Sequence, residues 1–145
     1  MIIEECKTEE QFETMMSLAK KHPEPEYDCS YEEYKELLRG VILNPLFRAW
    51  IAYEDETPIG YISATRSYIP RNQISLHDIF LDNKKWGSHV TVCLIQKVIE
   101  WMKEDKALRI IWTSKISLAG WKRFLRINGL DLNLDSQTLL IWEGN

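Results

Sequence analysis

The chain has 145 residues, 45% of them hydrophobic and 28% charged, and a formal net charge of -4. That length favours one domain, 1–145, and that balance is typical of a globular protein rather than a disordered one. The acidic balance and the lack of a long Lys/Arg stripe argue against nucleic acid as a partner, and the absence of an apolar run of about 18 residues argues against a membrane span.

The first part of the chain predicts one strand and two helices. Residues 2–5 are typical of a short strand. Capping boxes at 8–11 and 30–33 begin two helices, because in each a hydroxyl residue stands three positions before Gln or Glu. Prolines end the first helix, and the second ends near Gly40. The apolar residues that we expect on the inner faces are Phe12, Met15, Met16, Ala19, Tyr34, Leu37 and Leu38.

The middle of the chain predicts three strands in a meander and then a long helix. The strands cover 47–53, 59–67 and 74–81, which are rich in β-branched and aromatic residues and are separated by turns. The helix runs from about 89 to 103 and is amphipathic. Its expected inward residues are Val90, Cys93, Leu94, Val98, Trp101 and Met102.

The last part predicts a strand, a helix and a closing pair of strands. Residues 108–113 are apolar enough for a central strand. Ser117 begins a helix that ends at Asn128 and Gly129, and 130–134 and 137–142 are the closing strands. The predicted order is therefore β-α-α-β-β-β-α-β-α-β-β.

Three landmarks in this order carry a resemblance to a known family. They are the strand pair 50-WIAY-53 and 58-PIGYI-62, the strand 76-LHDIFL-81, and the segment 124-FLRINGL-130. Over essentially the whole chain they resemble the GNAT superfamily of acyl-CoA-dependent N-acyltransferases. The resemblance implies an α/β (α+β) fold with a mixed, mostly antiparallel central sheet flanked by helices on both faces. It also implies acetyl-CoA as the cofactor and acetyl transfer to a primary amine.

The family's cofactor signature, Arg/Gln-x-x-Gly-x-Gly/Ala, is degenerate in this chain. The signature marks backbone amides at a helix start, where the free N–H groups and the helix dipole favour a pyrophosphate. It falls on 86–91, with Trp86 in place of the basic residue and with His89 and Thr91 where small residues are usual. A capped helix start beside a solvated lysine pair is the alternative. The cofactor-binding residues that the resemblance implies are Ile79, Phe80, Leu81, Lys84, Lys85, Trp86, Gly87, Ser88, His89, Val90, Thr91 and Ser114.

The candidate catalytic residues lie on the strand 74–81. Amide formation from a thioester needs a base that removes a proton from the amine, and the resemblance places that base on this strand. His77 has the residue type for it, since an imidazole has an ordinary pKa of about 6.5. Ser75 should share its face, whereas Asp78 should point to the opposite face unless a bulge intervenes. A structural hydrogen bond or an exposed strand edge is the alternative for His77.

Three functional readings remain open at this level. The family's usual general acid is a tyrosine, and the matching residue here is Leu125, which cannot donate a proton. The chain is therefore either an N-acetyltransferase without that acid, or a catalytically inactive module that binds acyl-CoA or a protein partner. A third reading is an α/β protein outside the family that binds no cofactor.

The expected partners are amines rather than macromolecules or metals. The acceptor is a small molecule or a peptide, and the acidic segment 22–28 would either attract a cationic amine or form only a solvated loop. Family members are often homodimers, which six tryptophans permit. Cys6, Cys29 and Cys93 match no metal-ligand spacing, so we expect no metal site and reduced thiols in a cytoplasmic protein. The N-terminus does not have the form of a signal peptide.

Overall fold

The computed structural model describes residues 1–21, 30–42, 44–82, 89–114, 118–129 and 139–141. The predicted order is confirmed from the first strand to the last helix, and residues 130–138, which include the first closing strand, lie outside the described residues. The elements are β1 (Ile2–Glu5), α1 (Glu9–Ala19), α2 (Tyr31–Val41), β2 (Phe47–Glu54), β3 (Thr57–Ser67), β4 (Gln73–Leu81), α3 (His89–Glu104), β5 (Arg109–Ser114), α4 (Leu118–Ile127) and β6 (Leu139–Ile141).

The strands pair in the order β1-β2-β3-β4-β5-β6. The first four are antiparallel neighbours, whereas β5 runs parallel to both β4 and β6. The prediction of a mixed, mostly antiparallel sheet is therefore confirmed. Parallel neighbours need a crossover between them, which α3 and α4 supply.

Helices cover both faces of this sheet. Side chains alternate along each strand, so Trp50 and Ile62 pack with α3 and α4, while Ile51 and Tyr61 pack with α1. Below, these two sides are called the α3/α4 face and the α1/α2 face. No helix within the described ranges is long and apolar enough to cross a bilayer.

The two N-terminal helices begin as the sequence predicts. The Thr8 hydroxyl accepts from the Gln11 amide and the Gln11 side chain accepts from the Thr8 amide, which completes the capping box. Ser30 caps α2 by accepting from the Glu33 amide. Among the described residues the Glu33 side chain does not bond back to the Ser30 amide, so only this half of the second predicted capping box is observed. The expectation for Leu37 is wrong, because this side chain is 68% exposed. Successive residues lie about 100° apart around a helix, and α2 turns the neighbouring Leu38, rather than Leu37, toward the core.

Helix α3 buries a wider face than the predicted stripe. It packs across four strands, β2 to β5. Cys93 and Met102 are only half-buried, because the centre of its contact lies elsewhere on the helix. The buried residues that the prediction missed are Thr91, Val92, Ile95 and Ile99. Cys6 and Cys93 are free thiols, and Cys29 lies outside the described residues.

Candidate active site

Strands β4 and β5 pair briefly and then separate. Residues 73–75 of β4 oppose residues 109–111 of β5. From Trp112 onward, β5 pairs with β6 instead. Because β4 continues to Leu81, its edge toward β5 has no strand partner among the described residues from Leu76 onward. An unpaired strand edge can bind an extended ligand through main-chain hydrogen bonds.

A β-bulge in β4 lies at the start of this unpaired edge. Ala64 of β3 opposes Leu76, and Ser63 opposes Asp78, so His77 is the extra residue of β4. The extra residue resets the alternation of side chains along the strand. The exception that the expectation for Asp78 allowed, a bulge in this strand, is therefore present, and Asp78 lies on the same face as His77.

The bulge leaves a row of polar side chains on the α1/α2 face. Ser75 opposes Thr65, and Asp78 opposes Ser63, so each pair projects to the same side of the sheet. His77 joins this side through a hydrogen bond to Thr65. The polar row, as we call it below, consists of Tyr61, Ser63, Thr65, Ser75, His77 and Asp78.

The imidazole of His77 is exposed and has one hydrogen-bond partner among the described residues. Its Nε2 lies 2.6 Å from Oγ1 of Thr65. Neighbouring atoms keep water from part of the ring and lower the pKa of His77, and the negative charge of Asp78 opposes this shift only in part. The lowered pKa favours the neutral ring, the state in which an imidazole can accept a proton.

Asp78 is held by a buried tyrosine. The Tyr61 hydroxyl donates to Oδ2 of Asp78 at 2.5 Å. Tyr61 is 1% exposed, and its ring packs on Phe80 with 6.0 Å between centroids. Sequence reasoning named neither Tyr61 nor Thr65 as site residues, because both reach the site from β3. The register of β3 against β4, including the bulge, is the signal that would have found them.

His89, the first residue of α3, does not cover the N-terminal end of this helix. Nε2 of His89 lies 3.3 Å from Sγ of Cys93, one turn further along, so the exposed imidazole lies along the helix. The Thr91 side chain is fully buried, and its hydroxyl has no hydrogen-bond partner among the described residues. Amides in the first turn of a helix lack partners within it. This end therefore offers donors to an anion.

The structure describes some of the remaining predicted cofactor residues but not all of them. Ile79 and Leu81 face the α3/α4 core, and Phe80 packs on the other side of the sheet. The backbone of Ser114 pairs with Ile141 at the end of β5. Val90 is buried in the first turn of α3. The residues of the predicted cradle that lie outside the described residues are Lys84, Lys85, Trp86, Gly87 and Ser88.

Comparisons with known proteins agree with this architecture. The acetyltransferase (GNAT) family model matches residues 10–126, and the chain therefore belongs to that family. A comparison with curated proteins found no match. The solved structures that resemble the chain include acetyltransferases that contain a cofactor or an analogue of one.

Three of these structures cover nearly the whole chain. An aminoglycoside antibiotic 6'-N-acetyltransferase from Acinetobacter haemolyticus has a TM-score of 0.67 and 16% identity, covering 93% of this chain and 94% of that one. A "predicted acetyltransferase with acetyl-CoA" from Clostridium acetobutylicum scores 0.64 at 16% identity, covering 94% and 97%. AAC(6')-Iy in complex with the bisubstrate analogue CoA-S-monomethyl-acetylneamine scores 0.64 at 14% identity, covering 93% and 96%. At these identities the likeness shows a shared fold.

Proposed function

We propose that this chain is an N-acetyltransferase that moves an acetyl group from acetyl-CoA to a primary amine of a small molecule. The observation that carries the proposal is the position of His77. It lies on the bulge of β4, beside the unpaired edge that opens where β4 leaves β5. A neutral, exposed imidazole there is next to the place where an extended cofactor would lie.

The residues around the cleft fit acetyl-CoA. The edge of β4 from Leu76 to Leu81 offers main-chain donors and acceptors to the pantetheine arm. At the start of α3, free amides and the buried hydroxyl of Thr91 would hold the pyrophosphate. His89 lies along the helix toward Cys93 rather than across this end. In the family, the solved structure from Clostridium acetobutylicum contains acetyl-CoA.

The polar row would prepare the amine for attack. Acetyl-CoA supplies a thioester whose carbonyl carbon bonds to the amine nitrogen as the carbon–sulfur bond breaks. The carboxylate of Asp78, held by Tyr61, attracts the ammonium form of the acceptor. This ammonium loses two protons on the way to the amide. His77 accepts the first, which frees the nitrogen lone pair for attack, and the second passes from the nitrogen to the leaving thiolate, directly or through water. Ser75, which opposes Thr65 on the same side of the sheet, would contact the same acceptor.

The proton for the leaving thiolate would not come from α4. Leu125, which stands where the family usually has a tyrosine, is 1% exposed and part of the α3/α4 core. If the chain is an active N-acetyltransferase, the thiolate takes its proton from water or from the amine. The same leucine favours a second candidate function, an inactive module that binds acyl-CoA or a protein partner.

Two measurements separate these functions. Calorimetry with acetyl-CoA tests cofactor binding, and release of free thiol tests turnover. The acceptors are aminoglycosides, polyamines, arylalkylamines, amino acids and lysine peptides. Aminoglycosides are included because the resembling structure from Acinetobacter haemolyticus is an aminoglycoside acetyltransferase.

The outcomes are distinct. Binding with thiol release that depends on a small amine supports the enzyme. Binding without turnover on any acceptor supports the inactive module. Turnover on lysine peptides alone would contradict the small-molecule assignment. Absence of binding at millimolar acetyl-CoA would refute the enzyme and the acyl-CoA-binding module, and it would leave only a module that binds a protein partner.

A further inference from the structure

Among the residues that the structure describes, the side chains of Thr65 and His77 hydrogen-bond only to each other. Oγ1 of Thr65 and Nε2 of His77 are 2.6 Å apart. Within the described part of the chain, neither side chain makes another hydrogen bond, so Nδ1 of His77 has no protein partner. One nitrogen of the ring is thus anchored to the sheet, and the other is left for a ligand.

The bulge explains why an anchor is needed. As the extra residue of β4, His77 has no residue directly opposite it on β3. Cross-strand neighbours normally restrict how a side chain stands on a sheet. Thr65, which opposes Ser75, reaches His77 diagonally and supplies that restriction.

We propose that Thr65 is a positioning residue that holds Nε2 of His77 against β3, so that Nδ1 is the atom that takes the proton from the amine. This inference rests on the proposed function and deepens it, because it assigns the proton to one nitrogen and assigns a role to a residue of the neighbouring strand.

A hydroxyl suits this role because it both donates and accepts. In the resting base, Nε2–H donates to Oγ1 of Thr65 and the lone pair of Nδ1 is free. When Nδ1 takes the proton, Nε2–H continues to donate to the same oxygen. The hydrogen bond therefore survives the transfer, and it strengthens once the ring is charged. Proton uptake at Nδ1 needs no rearrangement of the anchor.

The test uses three variants of β3. Thr65→Val removes the hydroxyl with little change of shape and keeps a β-branched residue in the strand, which preserves the fold. Thr65→Ser keeps the hydroxyl. Thr57→Val makes the same chemical change at an exposed position at the start of the same strand and serves as the control.

The first readout is the 15N NMR spectrum of His77, which reports the protonated nitrogen without turnover. We expect the Nε2–H tautomer in the wild type, Thr65→Ser and Thr57→Val, and a mixture of tautomers in Thr65→Val.

The second readout is kcat/KM against pH, measured with an amine that the thiol-release assay identifies as an acceptor. Thr65→Val should lower it about 10-fold and move its acid limb to lower pH, because the imidazolium loses an acceptor. KM for acetyl-CoA should stay the same.

Two results would overturn the inference. One is a resting His77 that carries its proton on Nδ1. The other is a Thr65→Val variant with the wild-type tautomer and pH profile. A wild-type protein that acetylates no amine would instead refute the proposed function, and the NMR spectra would still decide whether Thr65 fixes the ring.

Discussion

The buried hydroxyl of Tyr61 on β3 donates a hydrogen bond to the carboxylate of Asp78 on β4, at 2.5 Å. This contact joins the core of the α1/α2 face to the polar row. Tyr61→Phe keeps the ring and removes the donor. We expect KM for the amine to rise several-fold because the carboxylate loses the hydrogen bond from Tyr61, and the free energy of unfolding to fall by about 1 kcal/mol. Steady-state kinetics and urea unfolding measure the two effects.

Tyr53→Phe is the matched control for this prediction. Tyr53 packs at the edge of the same core, and its hydroxyl makes no hydrogen bond among the described residues. We therefore expect its kinetics and stability to stay close to those of the wild type. Equal effects of the two substitutions would show that the Tyr61 hydroxyl does not hold Asp78 for function.

The lowered pKa of His77 predicts a pH dependence with a definite sign. A base must be unprotonated to act, so kcat/KM should rise with pH through the pKa of His77 and level off. Because partial desolvation lowers this pKa below its ordinary value, the midpoint of the acid limb should lie below about 6.5. His77→Gln should lower kcat/KM about 100-fold and abolish the acid limb. A limb that persists in His77→Gln would assign the base to another group.

The same shift predicts an effect on stability. A histidine whose pKa is lowered in the folded state binds its proton more readily when unfolded, so acid favours unfolding. Its contribution is complete above the ordinary pKa of about 6.5 and is lost as the pH falls through the lowered value. The melting temperature of the wild type should therefore fall more between pH 7 and pH 5 than that of His77→Gln. Thermal unfolding at several pH values measures the difference.

Two glycines provide a second matched pair. A Cβ at Gly60 would lie 2.6 Å from the carbonyl oxygen of Phe80 and 2.5 Å from Cδ2 of Leu81, whereas a Cβ at Gly40 would meet nothing within 4 Å. Gly60→Ala must push β3 away from the edge of β4, at a cost of about 2 kcal/mol, and should weaken acetyl-CoA binding. Gly40→Ala, in α2, should stabilise by about 0.5 kcal/mol. Urea unfolding and calorimetry compare the two, and equal stabilities would contradict the close approach of β3 and β4.

The parts of the molecule that follow from local sequence were predictable. Capping residues such as Thr8 and Ser30 mark helix starts from within a few positions, because their hydroxyls bond to amides three residues on. The faces of Leu37 and Asp78 were not predictable. The first depends on how α2 lies against the sheet, and the second on a bulge that only the register of β3 and β4 discloses.

The site shows the same division. His77 could be named because its residue type and its strand are both local facts. Thr65 and Tyr61 could not, because each meets its partner across a strand pair more than ten residues apart in sequence. The start of α3 was only partly predictable. The sequence indicated where the helix begins, but the orientation of His89 toward Cys93 depends on side-chain packing, which the degenerate signature does not encode.

The buried hydroxyl of Thr91 predicts that its removal raises the free energy of unfolding and weakens cofactor binding. Thr91 is fully buried, and no described residue bonds to its Oγ1. Thr91→Val replaces that hydroxyl with a methyl group of similar size. The variant should gain about 1 kcal/mol of unfolding free energy, because a buried unsatisfied group is removed. If the hydroxyl binds the pyrophosphate, the affinity of the variant for coenzyme A should also fall about 10-fold.

Thr91→Ser should show the opposite pattern. It keeps the hydroxyl and deletes a buried methyl group, so stability should fall by about 1 kcal/mol while coenzyme A still binds. Urea unfolding and calorimetry with coenzyme A measure both quantities for both variants. Wild-type affinity in Thr91→Val would mean that the pyrophosphate does not reach this hydroxyl. The free amides of the first turn of α3 would then be the only donors that the described residues offer to it at this end.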